Sequence, residues 1–324
     1  MNTKTKLAVM MALATAGALG AQAQSYLSLY NVIVKNNLAL TSDVEGKVVT
    51  KNYTDGNSAT LAKNISVANG VDTVYISGNI VNTGSNLTVQ DGSLALGPNA
   101  NLNGRSVTFN GGQGAGIHTG STFDFGAVFN GISTESTKYA APSNFAGSVT
   151  ASASTSGNNL NFSIPSNADG KALFFTVAAS SLGVQNQSIN LVNPNGVTPS
   201  SIIINVTGST SFTEAAGVNF GGLFSSTSNT DPWLTKTLWN FNGFTSLSIN
   251  GWRGSLMAPS ASVSNTGSVI YGSVAATDLT GQGEIHLPTW SGVSAVPEPS
   301  TYAAGAAVAG MIGFGWYRTR KQKA

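Results

Sequence analysis

His118 and His286 are the only imidazoles in a chain of 324 residues, and most of the sequence lies between them. A zinc pair on one strand or helix needs a second ligand close by, and neither histidine has a partner at i+2, i+3 or i+4. A Ser-His-Asp arrangement could still assemble in space, but the G-x-S-x-G elbow that presents a nucleophilic serine is missing. Packing or turn roles are the preferred reading of both. Asp43 and Glu45, in TSDVEGK, are the other candidates for chemistry. On a strand they share one side about 6.6 Å apart. Glycoside hydrolysis uses two acids roughly 5 to 9.5 Å apart across a sugar cleft, so the pair is compatible with it. Aromatic residues that could line such a cleft are sparse in the sequence.

Other chemistries lack their signatures. Cysteine is absent, which removes disulfides, thiol nucleophiles and thiolate metal sites together. Calcium loops of the D-x-D-x-D or GGxGxD kind are missing. GGQGAG, Gly111–Gly116, lacks the Lys-Ser/Thr of a phosphate loop and reads as a flexible turn. No cofactor is expected.

The elements that would position these residues are short strands. Only 9% of residues are charged, 41% are hydrophobic and 38 are glycine, so Ser, Thr, Asn and Gly must cover the surface, an extracellular β-rich signature. Runs such as TVYISG, NLTVQDG, SLALGPN and RSVTFNGG alternate apolar and polar residues, then meet Gly, Asn or Asp. Looser glycine corners outnumber Asn-Gly hairpin signals, which favours an irregular β-solenoid, β-helix-like, over a sandwich or barrel. Phe125, Val128, Phe129 and Ile132 form the one helical stripe of the body, with Thr122 or Asp124 to cap it, and such a helix would flank a β stack. SIIINVTGS reads as a strand buried on both faces. No clear linker interrupts 24–292, and Pro142–Ser156 is the weakest point for continuity.

Both ends read as addresses. Residues 1–23 carry Lys4 and Lys6, an apolar stretch and small residues before Ala23 and Gln24, the pattern of a secretory signal peptide cut between those two. From 293 to 324 come Pro297, Glu298 and Pro299, an apolar run 302–317, and a basic end with Arg318, Arg320, Lys321 and Lys323. As a single transmembrane helix that run measures about 24 Å, short of the roughly 30 Å hydrocarbon core. The basic end would stay cytoplasmic and the extended Pro-Glu-Pro outside. Setting aside the six terminal cations and Glu298 leaves nine basic against twelve acidic residues, so no basic patch for nucleic acid remains.

Tyr30–Val34 (YNVIV) and Ser42–Val48 (SDVEGKV) resemble the opening of the bacterial choice-of-anchor A domain, an adhesive domain of secreted surface proteins. Val49–Lys51 departs from the glycine pair usual there. FDFGAVF, TLWNF, GSLMAPSASV and GSVAATDLTGQGEIHLPTW resemble the family's helix, one of its strands and its closing rungs. The tail resembles the PEP-CTERM sorting signal, carried by Pro297, Glu298, Pro299, Arg318, Arg320 and Lys321. These resemblances imply a non-enzymatic exported protein of Gram-negative bacteria, held transiently in the inner membrane and cut by an exosortase-like transpeptidase. Its ligand would be an exopolysaccharide or other surface polymer, in the envelope or a biofilm matrix. Two alternatives are weighed: an exported polysaccharide hydrolase using Asp43 and Glu45, and an ice-binding-like β-solenoid. The second needs outward T-x-T ladders, and the sequence offers only SSTS at Ser225–Ser228.

Overall fold

The computed structural model describes residues 25–55, 59–68, 70–81, 86–111 and 114–293. Ser25–Val293 forms one compact unit. The expected leader with Ala23 and Gln24, the sorting residues Pro297, Glu298, Pro299, Arg318, Arg320 and Lys321, and the expected span 302–317 all lie outside the described residues. Among the described residues no helix is long and apolar enough to cross a membrane.

The fold is mainly β, with three α-helices among the described residues: α1 (Tyr26–Leu29), α2 (Phe125–Tyr139) and α3 (Pro232–Lys236). Its ladders are parallel, apart from the antiparallel pair Ser154–Ser156 with Asn159–Ser163. A parallel neighbour needs a crossover rather than a hairpin. Between successive visits to one large sheet, the chain therefore leaves short strands in smaller sheets. Thr60–Leu61, Leu87–Val89 and Val107–Phe109 make one of these, and Trp252–Arg253, Ile270–Tyr271 and Ile285–His286 another.

Strand order in the large sheet differs from chain order. Val32–Leu40 lies in its interior, and Val48–Asp55, Asp72–Ile76, Ser93–Leu96 and Ile117–His118 follow toward one end. After α2 the chain restarts at the opposite end with Val149–Ser152, and Val274–Gly281 finally pairs with Val32–Leu40. The weak stretch Pro142–Ser156 is thus where stacking breaks and restarts, and the first and last turns of the chain meet at an internal seam. Register shifts at Val34/Asn37 and Ala258/Ser262 divide two of the long strands. Irregularities of this kind bend a strand. Past them, the second half of Ser255–Asn265 pairs with Ser246–Ile249 and that of Val48–Asp55 with Ile80–Val81, and Ser246–Ile249 pairs in turn with Ser211–Thr213.

α2 follows from its sequence. Asp124 Oδ1 accepts the Ala127 N–H at 2.8 Å as N-cap, and Val128, Ile132, Ser136 and Tyr139 are the buried positions, while Phe125 and Phe129 stay partly exposed. Ser136 Oγ donates to Asn240 Oδ1 at 2.7 Å, Asn240 Nδ2 donates to Asn205 Oδ1 at 2.9 Å, and Asn205 Nδ2 donates to the Tyr139 carbonyl at 3.0 Å. This buried network fixes the helix on the large sheet. Accordingly Ser201–Val206 is buried on both sides, as its strongly apolar sequence SIIINV predicts. At the start of the unit, Glu135 accepts Ser25 Oγ and the Tyr26 N–H at 2.6 and 3.1 Å. Burial pushes its carboxyl above the usual glutamate range despite those donors.

Candidate functional site

Asp43 and Glu45 flank Val44, which is buried and forms a parallel bridge with Ile285, so alternation sets both acids on one side, opposite the Val44 side chain, as their spacing predicts. Their surroundings differ from those of a sugar cleft. Glu45 is 5% exposed and accepts hydrogen bonds from Asn64 Nδ2 at 2.5 Å, Asn229 Nδ2 at 2.7 Å and the Leu287 N–H at 2.8 Å. His286 is drawn into the same group, with Nε2 2.5 Å from Glu284 Oε2 and Nδ1 3.8 Å from Glu45 Oε1. With three donors engaged, Glu45 works as a fastener rather than an open proton donor, and it joins the last turn of chain to the first. Asn31 does the same from the other side. It accepts the Gly46 N–H at 3.1 Å and donates to the carbonyls of Gly272 and His286 at 3.3 and 3.2 Å. A Cβ on Gly46 would collide with the Asn31 side chain, so this close approach requires glycine. Sequence spacing gives no hint of Lys63, Asn64, Asn229 or Glu284 in this group, because they come from other turns of the chain.

Asp43 accepts Lys63 Nζ at 2.5 Å and the Thr60 N–H at 2.8 Å. Burial pushes its carboxyl up, but the Lys63 and Thr60 hydrogen bonds outweigh that and hold it below the usual aspartate range. A depressed carboxylate contributes stability above its unfolded value, about 3.9, which is lost as pH falls through the lower folded value. Lys63→Met should therefore lower the melting temperature by a constant amount above about pH 4, with the gap to the parent closing below it. Parallel melting curves across this range check the sign, and a gap that stays constant into acid would contradict it.

The second halves of the long strands build a different surface. Across seven consecutive rungs the residues Phe212, Leu247, Val263, Leu279, Leu38, Tyr53 and Ile80 point inward and are buried. Period-two alternation turns their neighbours outward in two ranks. One rank runs Ser211, Ser246, Ser262, Asp278, Asn37, Asn52 and Asn79, with Asn101 bridged to Asn79. The other runs Thr213, Ser248, Ser264, Thr280, Ala39, Thr54 and Val81. All are exposed or partly exposed. Hydrogen bonds along the first rank order it: Ser262 Oγ donates to Asp278 Oδ2 at 3.2 Å, Asn37 Nδ2 to Asp278 Oδ1 at 2.8 Å and Asn52 Nδ2 to Asn37 Oδ1 at 3.1 Å. Six rung steps make this a strip roughly 29 Å long, with a short polar side chain about every 4.8 Å in the first rank and hydroxyls in the second interrupted by Ala39 and Val81.

The ice-binding reading demands outward T-x-T ladders, and pairing aligns hydroxyls on four neighbouring rungs, although no rung of this strip has threonine in both ranks. SSTS at Ser225–Ser228, the sequence's only offer, lies in a loop outside any strand. The remaining candidates carry less. His118, on a terminal strand of the large sheet, pairs with Asp72 at 2.7 Å and sits far along the chain from the His286 group. GGQGAG lies partly outside the described residues. A shallow open groove lined by Glu214, Asn250 and Thr266 contains a single carboxylate. Among the described residues no group of three or more acids and histidines could hold a metal ion. Comparison with known families gives a match over residues 23–287 to the model described as "Putative Ice-binding-like adhesive domain". No curated protein and no solved structure matches the chain.

Proposed function

The chain belongs to the ice-binding-like adhesive domain family, and from that premise we propose that it is a non-enzymatic, exported adhesin that holds an exopolysaccharide or similar surface polymer against its two-rank strip. The observation that carries this reading is the seven-rung alignment of short polar side chains. Ser, Thr and Asn lose little rotamer entropy when they engage. Each contact is weak, but a repeating polymer meets many at once, and linked contacts multiply. The scarcity of charge makes such binding insensitive to salt.

The parallel ladders and regular returns to the large sheet support describing the body as an irregular β-solenoid of choice-of-anchor A type. The signal-peptide pattern and the Pro297-Glu298-Pro299 tail support export, a transient inner-membrane stage, exosortase-like cleavage and delivery to the envelope or a biofilm matrix. A second reading, ice binding, is favoured by the four consecutive rungs Ser211/Thr213, Ser246/Ser248, Ser262/Ser264 and Asp278/Thr280.

Co-sedimentation of the purified protein with insoluble exopolysaccharide, cellulose and chitin tests adhesion. The expected result is saturable retention without release of soluble sugar. Retention by none of these at high protein concentration counts against adhesion, and thermal hysteresis in place of polymer retention moves the function to ice. Sugar release would restore the hydrolase.

A further inference from the structure

Aromatic side chains that are scattered in the sequence gather at one place on the outer side of the large sheet. Tyr75 and Phe123 stack with ring centres 4.2 Å apart, Tyr30 meets both edge-on at 6.0 Å, and Phe125 meets Phe123 edge-on at 4.8 Å. α2 packs over the strands Ser255–Asn265, Val32–Leu40 and Val48–Asp55. The aromatic group lies beyond it, over the strands of Tyr75, Ala95 and His118, which occupy one row. Ser121 donates its N–H to the Leu96 carbonyl at 2.9 Å, which brings the segment leading to Phe123 across this row. All four rings are partly exposed.

A polar pair borders the rings. Tyr75 Oη donates to the Asp72 carbonyl at 2.9 Å, and Asp72 Oδ1 bonds His118 Nδ1 at 2.7 Å, with the two side chains 27% and 45% exposed. Burial, followed by the charges of Tyr30 and Asp72, pushes the Tyr75 phenol up to about 12, so it remains a neutral donor. Among the described residues, Asp72 Oδ2 and His118 Nε2 have no hydrogen-bond partner.

We propose that Tyr30, Tyr75, Phe123 and Phe125, with Asp72 and His118, form a subsite for one pyranose unit of a neutral polysaccharide, separate from the two-rank strip. The negative faces and positive edges of the rings attract sugar C–H groups, which neighbouring oxygens polarise. Asp72 Oδ1 accepts from His118 Nδ1–H, so the other carboxylate oxygen and the imidazole Nε2 are both acceptors and suit a pair of adjacent hydroxyls that each donate. A few convergent polar groups beside an apolar floor are the usual composition of a small-ligand site. This assignment rests on the adhesive reading only in taking a saccharide as the ligand. The strip would hold a polymer by its repeat, whereas the aromatic subsite would recognise a single residue or a chain end.

The test titrates the full chain with soluble hexasaccharides of β-1,4-glucose, β-1,4-N-acetylglucosamine and α-1,4-glucose up to about 10 mM, where millimolar affinities register. Ring signals of His118 and Tyr75 should shift with at least one of them. His118→Gln, at an exposed position, and Phe123→Ala should each weaken that binding about tenfold. A Ser264→Tyr/Thr280→Tyr variant of the strip should leave it unchanged. Shifts at His118 without retention on any insoluble polymer would sustain the subsite and sink the strip. Retention on polymer with no His118 or Tyr75 shift for any hexasaccharide would overturn the subsite alone, as would full affinity in His118→Gln.

Discussion

Glu45→Ala should lower stability by about 4 kcal/mol, because three donors lose a charged acceptor in a buried position. Asn64, Asn229 and the Leu287 N–H would face a cavity with no partner. In a unit of this size that corresponds to a fall in melting temperature of about 10 °C. Glu45→Gln keeps one acceptor oxygen and should lose about half as much. The effect is large because of where the residue sits. Val274–Gly281 and Val32–Leu40 pair at the seam although they come from opposite ends of the unit, so closing it orders a very long loop. Asn31 and Glu45 pin that closure from two sides, and Ser273 Oγ adds a bond to the Leu27 carbonyl at 2.9 Å. Thermal or urea unfolding of the two variants checks it. A Glu45→Ala protein within about 1 kcal/mol of the parent would mean that the seam is held by its backbone ladder alone.

This seam also explains what the sequence could and could not reveal. The alternation of strands such as Asp72–Ile76 and the Val128/Ile132 stripe of α2 are local patterns, and local patterns are readable. That Asp43 and Glu45 share one side follows from period two, with buried Val44 between them facing the other way. Their role is not local. Leu287 lies 242 residues from Glu45, and without that partner an isolated acid pair suggests hydrolysis as readily as fastening. The strip was hidden for the same reason. SFT, SLS, SVS, DLT, NLA and NYT are each ordinary half-buried strand triplets, and only pairing sets them side by side. Asn37 joins the rank next to Asp278 from 241 residues away, so no repeat could be seen by scanning along the chain. The aromatic group was missed similarly, since Tyr30, Tyr75 and Phe123 come from three separate turns.

Replacing Ser264 and Thr280 together by tyrosine should cut polymer retention by roughly ten- to a hundredfold while leaving the fold intact. Both positions are exposed on adjacent rungs, opposite each other in register. Surface substitutions of this kind usually change stability by less than about 0.5 kcal/mol. Two phenol rings standing above short neighbours would keep a flat ligand from the flanking rungs, so the loss is that of several linked contacts rather than two. Thr280→Val with Ser264→Ala separates shape from hydrogen bonding, because it keeps the surface low while removing both hydroxyls. A loss nearly as large as with tyrosine would assign the binding to hydroxyl pairing, and a small loss would assign it to close apolar fit. A matched control exists on the three-stranded sheet, where Thr60, Thr88 and Thr108 form their own outward row in register. Thr108→Tyr should leave retention unchanged. If Thr108→Tyr abolishes retention and the Ser264/Thr280 variant does not, the adhesive face is the smaller sheet. A row of three threonines would then be enough, because retention would depend on a short, regular hydroxyl row rather than on the length of the seven-rung strip.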